Sequence, residues 1–288
     1  MANLRDIRRR IKSTKNMQQI TKAMKAVAAA KMRKAQEAVT LARPYSKRIK
    51  SVLGRVAVVS GGVNNPLLEV REPKKVAYIV ISADRGLCGG FNSNIIKLAT
   101  QELKATSAEI SLITVGRKAH DFFVRRGGSN IAKQYVGLGD NIMYGTVRDI
   151  ASFVIDKYAN QEYDVVYLIY SQFVNVMVQK PLVIKLLPAE PPAAAGGADE
   201  SKKIAYIFEP SPEAVLAELL PKYIENAIYQ GLLETKAGFY SAQMTSMENA
   251  TKSASDMIDK LTMFMNRARQ AQITTEISEI VGGVAALE

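Results

Sequence analysis

The sequence predicts an α/β head with a Rossmann-like, mostly parallel sheet and an antiparallel edge, together with a long antiparallel two-helix coiled coil formed by the N- and C-terminal helices. Three observations predict it: a long helical stripe of apolar residues at the start, alternating strand and helix patterns in the middle, and a second long helical stripe at the end. We expect an N-terminal helix over residues 1–58, a globular head over 59–210 and a C-terminal helix over 211–288.

The first segment carries apolar side chains at alternating steps of three and four residues, from Leu4 to Val56. A second apolar row, offset by one position, runs over its middle, so the stripe drifts as it does on a helix with 3.6 residues per turn. The pattern predicts one helix of about 55 residues and about 80 Å. Pro44 should kink this helix because proline cannot donate a backbone hydrogen bond, and Gly61 and Gly62 should end it.

The middle of the chain changes to runs that are typical of buried strands. Three continuous apolar runs, bounded by charge or glycine, predict strands: "KKVAYIVISADRG" (74–86), "ISLITVGRK" (110–118) and "DVVYLIYSQF" (164–173). Helical patterns accompany them over residues 92–105, 117–126 and 146–160. Alternation of this kind favours a parallel sheet with helices on its faces.

The next segment, "VNVMVQKPLVIKLLP" (174–188), leaves no room for a crossover helix, so it predicts an antiparallel extension of the sheet. Residues 188–201 are rich in Pro, Ala and Gly and predict a loop, and "KKIAYIFEP" (202–210) predicts an edge strand. The final helix should begin with Ser211 as its N-cap and run for about 70 residues. Each long helix alone would leave its apolar stripe in water, so we expect the two to pair.

The charge of the chain is concentrated in its first helix. The net charge is +12, yet residues 1–50 hold fifteen Lys or Arg and two acids, so the remaining residues are almost neutral. No apolar run approaches the ~20 residues of a membrane-spanning helix. A single cysteine and a single histidine exclude an internal disulfide and disfavour a zinc site, and we expect neither a metal nor a cofactor.

A basic helix of this kind suits nucleic acid, an anionic membrane surface or an acidic protein partner. Residues 1–43 contain no aromatic side chain, and their charges are spread around the helix, which disfavours nucleic acid. A basic coiled-coil adaptor that binds nucleic acid remains an alternative, as does a nucleotide-binding head. The N-terminus lacks the apolar core of a secretory signal, and its scarcity of serine disfavours an organellar leader.

The loop "ISADRGLCGGFN" (81–92) lies between a predicted strand and a predicted helix, where glycine-rich loops often hold phosphates. Its spacing fits neither G-x-G-x-x-G nor G-x-x-x-x-G-K-[ST], so we interpret it as a tight turn at a protein contact. Cys88 has no nearby His or second Cys to activate it. Asp84 and Arg85 favour a surface ion pair. The chain therefore does not look like an enzyme by itself.

Three stretches in this order closely resemble the γ-subunit family of F-type, proton-translocating ATP synthases, bacterial type. They are "IRRRIKSTKNMQQITKAMKAVAAAKMRKAQ", "SADRGLCGGFN" and "NRARQAQITTEISEIVGGVAAL", and the likeness extends over essentially the whole chain. The resemblance implies a non-catalytic rotor shaft that turns with the membrane c ring inside a ring of three α and three β subunits, beside the ε subunit. Rotation would drive the β subunits through the states that make ATP, or be driven by hydrolysis in reverse.

The resemblance also implies where this chain meets its partners. Contacts with β are implied for Met24, Arg33 and Lys34 of the basic helix. They are also implied for Arg85 and Cys88 of the glycine-rich loop. A polar catch on a β loop is implied for Arg269, Gln270 and Thr274, and contact with the c ring or ε for Tyr206 and Glu209. The implied location is the cytoplasmic side of a bacterial plasma membrane, as a peripheral subunit. With Cys88 alone, thiol control by an internal disulfide is excluded.

Overall fold

The computed structural model describes residues 4–59, 65–127, 130–189, 209 and 211–285. The predicted edge strand at 202–210 and nearly all of the predicted loop at 188–201 lie outside these residues. The chain forms two compact units. One consists of the residues up to Ala29 together with those from Gln243 onward, and the other is Ala30–Ala242.

The larger unit contains a five-stranded sheet in the order β3-β2-β1-β4-β5. Its strands are β1 (Lys75–Ile81), β2 (Glu109–Val115), β3 (Asn130–Tyr135), β4 (Val165–Phe173) and β5 (Gln179–Leu187). The first four are parallel and β5 is antiparallel to β4, which confirms the predicted mixed sheet with an antiparallel edge. The order of the parallel strands, β3-β2-β1-β4, is that of the first four strands of a Rossmann fold.

Helices α2 (Phe91–Ala105), α3 (Arg117–Arg126) and α4 (Tyr144–Ala159) connect the parallel strands, as the sequence predicts within two residues at each end. Side chains of the central strands, among them Ile79, Ile113 and Leu168, are fully buried. They form one apolar core with residues of α4 such as Ile150. Burial on both faces explains why these strands carry continuous apolar runs.

Helix α1 runs from Leu4 to Val59 and helix α5 from Pro212 to Ala285, with 56 and 74 residues. Their lengths match the predicted stripes, and the backbone N–H of Ala214 donates to the Ser211 hydroxyl, which confirms the predicted N-cap. Pro44 lies inside α1 without ending it, and the kink stays a prediction. None of the helices in the described parts of the chain is long and apolar enough to cross a membrane.

In the larger unit, the end of α1 and the start of α5 pack onto the sheet. Leu53 of α1 and Leu220 and Ile228 of α5 belong to the same buried core as the strands. One close approach is at Gly231, where a Cβ would lie 3.3 Å from side-chain atoms of Ile81 and Leu168. Glycine at this position therefore brings the helix backbone against the sheet.

In the smaller unit, the first part of α1 and the last part of α5 are joined by side-chain contacts. Thr251 donates a hydrogen bond of 2.8 Å to Thr21, and Lys25 lies 2.7 Å from Glu248. Thr14 lies 3.9 Å from the sulfur of Met257. Because the partner number falls as the α1 number rises, the two segments run antiparallel.

Candidate functional site

The glycine-rich loop at residues 82–90 is a closed turn between β1 and α2. The Asn92 side chain, which is 7 % exposed, accepts a hydrogen bond from the Ala83 N–H and donates one to the Arg85 carbonyl. Leu87 and Gly89 have positive φ angles of 62° and 56°, in the left-handed region that favours glycine. The loop is therefore a tight turn, as predicted, and it presents Leu87 and Arg85 to solvent.

Cys88 faces inward from this loop. Its thiol is 3 % exposed, and the Asn92 amide lies 3.2 Å from its sulfur. Burial raises the pKa of the Cys88 thiol, and a hydrogen bond from the Asn92 backbone N–H opposes that effect only in part. At neutral pH the thiol is therefore protonated and shielded, and the exposed surface of the loop comes from its neighbours.

Asp84 has a different role from the surface ion pair that the sequence suggested. Its carboxylate accepts three backbone N–H groups, from Arg117 at 2.9 Å and from Gly137 and Leu138 at 3.1 Å. These donors begin α3 and the loop after β3. The carboxylate thus joins the ends of three neighbouring parallel strands, a structural role that corrects the ion-pair interpretation.

Helix α5 covers the end of the sheet where a Rossmann fold binds its ligand. In such folds the ligand crevice lies at the carboxyl ends of the strands where the strand order reverses, here between β1 and β4. A Cβ at Gly238 of α5 would lie 2.9 Å from the Phe91 ring, which follows β1, and 3.3 Å from Gln179, which begins β5. Phe239 packs edge-on against Phe91, with ring centroids 6.2 Å apart. The chain therefore fills the crevice that a nucleotide would need.

Basic side chains gather around one turn of α5 in the larger unit. Burial lowers the pKa of Lys236, and the positive charges of Lys31 and Lys34 add to that effect while Asp140 opposes it. One turn further along α5, burial raises the pKa of Tyr240, and the positive charge of Arg85 opposes that rise. We call Lys31, Lys34, Arg85 and Lys236 the basic cluster. It brings together two of the positions implied for β contact, and Arg33 is exposed nearby in sequence on α1.

Asp140 is the acid that bonds to a member of the basic cluster through its side chain. Its carboxylate lies 2.7 Å from Lys31 and accepts a hydrogen bond from Tyr240. The hydrogen bond from Lys31, followed by that from Tyr240, lowers the pKa of Asp140. Lys236 donates to the backbone carbonyls of Gly139 and Asp140.

Met24 lies in the smaller unit and is half-buried. It lies one residue before Lys25, which pairs with Glu248, and three residues after Thr21, which pairs with Thr251. The side chain is therefore partly accessible at a point where both helices are held in register.

Arg269, Gln270 and Thr274 are exposed on the last part of α5. The Thr274 hydroxyl donates to the Gln270 carbonyl within the helix, at 2.9 Å. From residue 269 to residue 284 every side chain is exposed, including a row of apolar ones: Ile273, Ile277, Ile280, Val281 and Val284. Ile273, Ile277, Ile280 and Val284 fall three or four residues apart, and with Val281 they form one face of the helix.

The two remaining implied positions are less informative. Tyr206 lies outside the described residues, and Glu209 is exposed in a bend. An open cavity of about 440 Å³ lies beside α2 and α3, lined by Ile96, Lys118, Asp121, Phe122, Arg125 and Arg126. Over the ranges that the structure describes, no group of three His, Cys, Asp or Glu side chains could hold a metal ion.

The sequence did not single out Asp140, Lys236, Tyr240 or Asn92. The one available signal was "GLGD" at 137–140, since glycines at 137 and 139 adopt positive φ angles of 73° and 65° and mark a shaped loop. The partners of Asp140 lie about a hundred residues away in both directions along the chain, at Lys31 and Tyr240. No local pattern reveals such contacts.

Comparison with known proteins relates this chain to ATP synthase by a family model and by similar sequences. A family model described as "ATP synthase" matches residues 3–287. The ATP synthase gamma chain of Pelotomaculum thermopropionicum is 76 % identical over 288 residues, with 100 % of both chains covered, and that of Desulforamulus reducens is 56 % identical over 291 residues, again with 100 % of both covered.

Solved structures resemble this chain at lower identity. A chain of the central stalk and c-ring structure of Tetrahymena thermophila mitochondrial ATP synthase is 27 % identical with a TM-score of 0.61, covering 80 % of this chain and 99 % of that chain. A chain of the Euglena gracilis mitochondrial ATP synthase structure, with OSCP, F1 and c-ring in rotational state 3, has a TM-score of 0.68 at 17 % identity, covering 99 % of this chain and 94 % of that chain. The second likeness concerns the fold alone.

Proposed function

The chain belongs to the family of ATP synthase gamma chains, and from this premise we propose that it is the central rotor shaft of an F-type ATP synthase. It couples proton-driven rotation of the membrane c ring to conformational cycling of the catalytic β subunits, which make ATP. In reverse, ATP hydrolysis drives the rotation. The chain is a non-catalytic subunit, and the phosphoryl chemistry belongs to its partners.

The shaft is an antiparallel coiled coil of α1 and α5. Support comes from the smaller unit, where Thr14, Thr21 and Lys25 of α1 meet partners of falling number on α5. Buried small side chains on α1, such as Ala28 at 1 % exposure, let the helices approach closely. The segments 1–58 and 211–288 form this shaft, and 59–210 forms the head.

The observation that carries the proposal is the bare end of α5. Residues 269–284 expose every side chain, yet they carry an apolar face and only two acids, Glu276 and Glu279. If the antiparallel register continues one residue for one, Leu4 lies opposite about residue 267, so residues 269–284 lie beyond the described part of α1. An apolar helix end of this kind is stable when another protein surrounds it.

We propose the contacts with partner subunits at the positions that the family resemblance implies. Met24, Arg33, Lys34, Arg85 and the loop that contains Cys88 meet acidic loops of β, because the basic cluster offers long-range attraction without requiring a close fit. Arg269, Gln270 and Thr274 hold a β loop near the bare end of α5. Tyr206 and Glu209 lie toward the c ring and ε.

The partners are a ring of three α and three β subunits, the ε subunit and the c ring. The chain reaches the membrane only through this complex, as a peripheral subunit on the cytoplasmic side of a bacterial plasma membrane. If the chain were instead an adaptor that binds nucleic acid, its binding to duplex DNA would fall steeply as salt rises. A chain that does not bind duplex DNA specifically at low salt excludes that alternative.

The decisive experiment is co-expression with the α and β subunits. We expect a complex in a 3:3:1 ratio in which ATP drives rotation of a bead fixed to the head of this chain while the ring is immobilised. A complex that hydrolyses ATP at full rate while the bead stays still would refute the rotor assignment. Tight stoichiometric nucleotide binding by the isolated chain would favour a nucleotide-binding head instead.

A further inference from the structure

The loop between β3 and α4, residues 136–143, is bonded through four consecutive residues, 137–140, to other parts of the larger unit. We call it the connecting loop. At its start, the backbone N–H groups of Gly137 and Leu138 donate to the Asp84 carboxylate, each at 3.1 Å. Asp84 directly precedes Arg85 in the glycine-rich loop, so this end of the connecting loop holds the base of the loop that presents Arg85.

The next two residues of the connecting loop, Gly139 and Asp140, are bonded to both long helices. Asp140 lies 2.7 Å from Lys31 of α1 and accepts a hydrogen bond from Tyr240 of α5. Lys236 of α5 donates to the Gly139 carbonyl at 2.9 Å and to the Asp140 carbonyl. Tyr240 is 8 % exposed, so the network is anchored on a buried side chain.

The loop has the backbone that such a bridge requires. Gly137 and Gly139 have φ angles of 73° and 65°, and a Cβ at either position would meet nothing within 4 Å. Glycine is therefore needed there for the left-handed backbone and not for space. With Gly137 and Gly139 in this conformation, the Leu138 N–H donates to Asp84, and the carbonyls of Gly139 and Asp140 accept from Lys236.

We infer that the connecting loop transmits load between the glycine-rich loop and the two long helices, and that Asp140 is a positioning residue for rotary coupling. The inference rests on the proposed function, because load arises only if Arg85 meets a β subunit. Arg85 sits on a surface turn, which alone would yield when pushed. Asp84, the connecting loop and Asp140 form a continuous bonded path from that turn to α1 and α5.

The connecting loop can transmit load because several bonds hold it to the two long helices together. A single exposed ion pair such as Lys31–Asp140 contributes little, since the two side chains are 36 % and 60 % exposed. Here the same loop receives two further donors from α5, Tyr240 and Lys236, and hydrogen bonds that share a charged group are stronger than neutral ones. Removing the carboxylate charge weakens the bonds from Lys31 and Tyr240 together.

The test is Asp140→Asn in the complete ATP synthase, reconstituted in vesicles. ATP hydrolysis and ATP-driven proton pumping are measured on the same vesicles. We expect hydrolysis to stay near the wild-type rate while protons pumped per ATP fall at least about threefold, because the Arg85 loop yields under load once charge-assisted bonds are lost. Asp140→Glu keeps the charge and should recover most of the pumping.

A matched control is Asp149→Asn. Asp149 forms an ion pair with Lys133 at 3.1 Å, on the α4 and β3 side of the head, so the same substitution removes a similar pair away from α1 and α5. It should leave the pumping ratio unchanged. Amide hydrogen exchange of the intact complex should rise over residues 136–143 in Asp140→Asn and stay at the wild-type level in Asp149→Asn.

Three results would overturn the inference: a wild-type pumping ratio in Asp140→Asn, a parallel loss of hydrolysis and pumping, or an equal loss of the ratio in Asp149→Asn. A parallel loss would mean that Asp140 supports only folding or assembly. A wild-type complex that hydrolyses ATP without pumping would instead count against the rotor assignment itself. The two failures are therefore distinguishable.

Discussion

The Lys25 ammonium lies 2.7 Å from the Glu248 carboxylate and joins α1 to α5 beside Met24. The two side chains are 39 % and 56 % exposed, so the pair adds at most about 1 kcal/mol to stability. The ion pair matters for the alignment of the two helices. The neighbouring Thr21–Thr251 hydrogen bond, in a more buried position, holds them in the same alignment. A positive charge added at Met24 would therefore lie where α1 and α5 are bonded to each other and where Glu248 is already paired with Lys25.

The first prediction concerns Met24→Lys. The substitution adds a positive charge between Lys22 and Lys25 on a half-buried, partly accessible position. Attraction to acidic loops of β should then favour one rotor angle over the others, and steady-state ATP synthesis should fall several-fold in an assembled enzyme. Met24→Leu, which changes packing but not charge, should keep synthesis near the wild-type rate. Equal rates in the Lys variant and the wild type, with intact assembly, would contradict the role of charge.

The second prediction concerns Gly238→Ala. Alanine normally stabilises a helix interior over glycine by about 1 kcal/mol, but a Cβ here would lie 2.9 Å from the Phe91 ring and 3.3 Å from Gln179. Overpacking of this kind costs about 1–3 kcal/mol, and a contact under 3.0 Å requires the Phe91 ring to shift, so the cost should exceed the helical gain and the free energy of unfolding in urea should fall. Gly282→Ala, where a Cβ meets nothing within 4 Å, serves as the control and should not lower it. A Gly238→Ala chain as stable as the wild type would mean that α5 does not fill the crevice closely.

The third prediction concerns the pH dependence of stability through Tyr158. This side chain is fully buried and donates to the Glu69 carbonyl at 2.6 Å. Burial raises the pKa of Tyr158 from 10.0 to about 12, although the nearby Arg71 opposes the rise. The folded state therefore keeps a proton that the unfolded state loses, so stability falls as pH rises between these two values.

Tyr158→Phe removes this contribution. We expect a cost of about 1 kcal/mol at pH 8 from the lost hydrogen bond, and a shallower fall in unfolding free energy between pH 10 and pH 12. Urea unfolding at several pH values measures both effects. Tyr45→Phe takes the same hydroxyl from an exposed side chain and should follow the wild-type curve. Parallel curves for Tyr158→Phe and the wild type would show that Tyr158 does not carry the effect.

The long helices and the central strands were predictable because burial there is periodic or complete. Apolar stripes gave α1 and α5 nearly to the residue, and continuous apolar runs gave β1, β2 and β4. Strand β3 was missed. Its sequence "NIAKQY" alternates exposed with half-buried positions, since it pairs with β2 on one side only. An edge strand of six residues leaves no apolar run to detect.

The site was predictable only in part, for a different reason. Exposure of Arg85 followed from its place in a glycine-rich turn, but the inward position of Cys88 depends on Asn92, which also closes the loop. The role of Asp84 depends on donors 33 to 54 residues away, and that of Asp140 on Lys31, 109 residues away. Hydrogen bonds between distant segments leave no periodic trace in a sequence, so the connecting loop emerged only from the fold.

The last prediction concerns the bare end of α5. Residues 269–284 are exposed throughout, and a helix of that length without packing is marginal in water. In the isolated chain their amide hydrogens should therefore exchange within seconds to minutes, much faster than those of residues 231–241, where almost every side chain is buried. In the assembled complex, protection over 269–284 should rise because partner subunits surround the apolar face formed by Ile273, Ile277 and Ile280. Ile277→Asp should reduce this protection, since a carboxylate would be placed against an apolar surface, whereas Glu276→Gln on a neighbouring position should not. Equal exchange over this segment in the free chain and in the complex would show that no partner encloses the end of the helix.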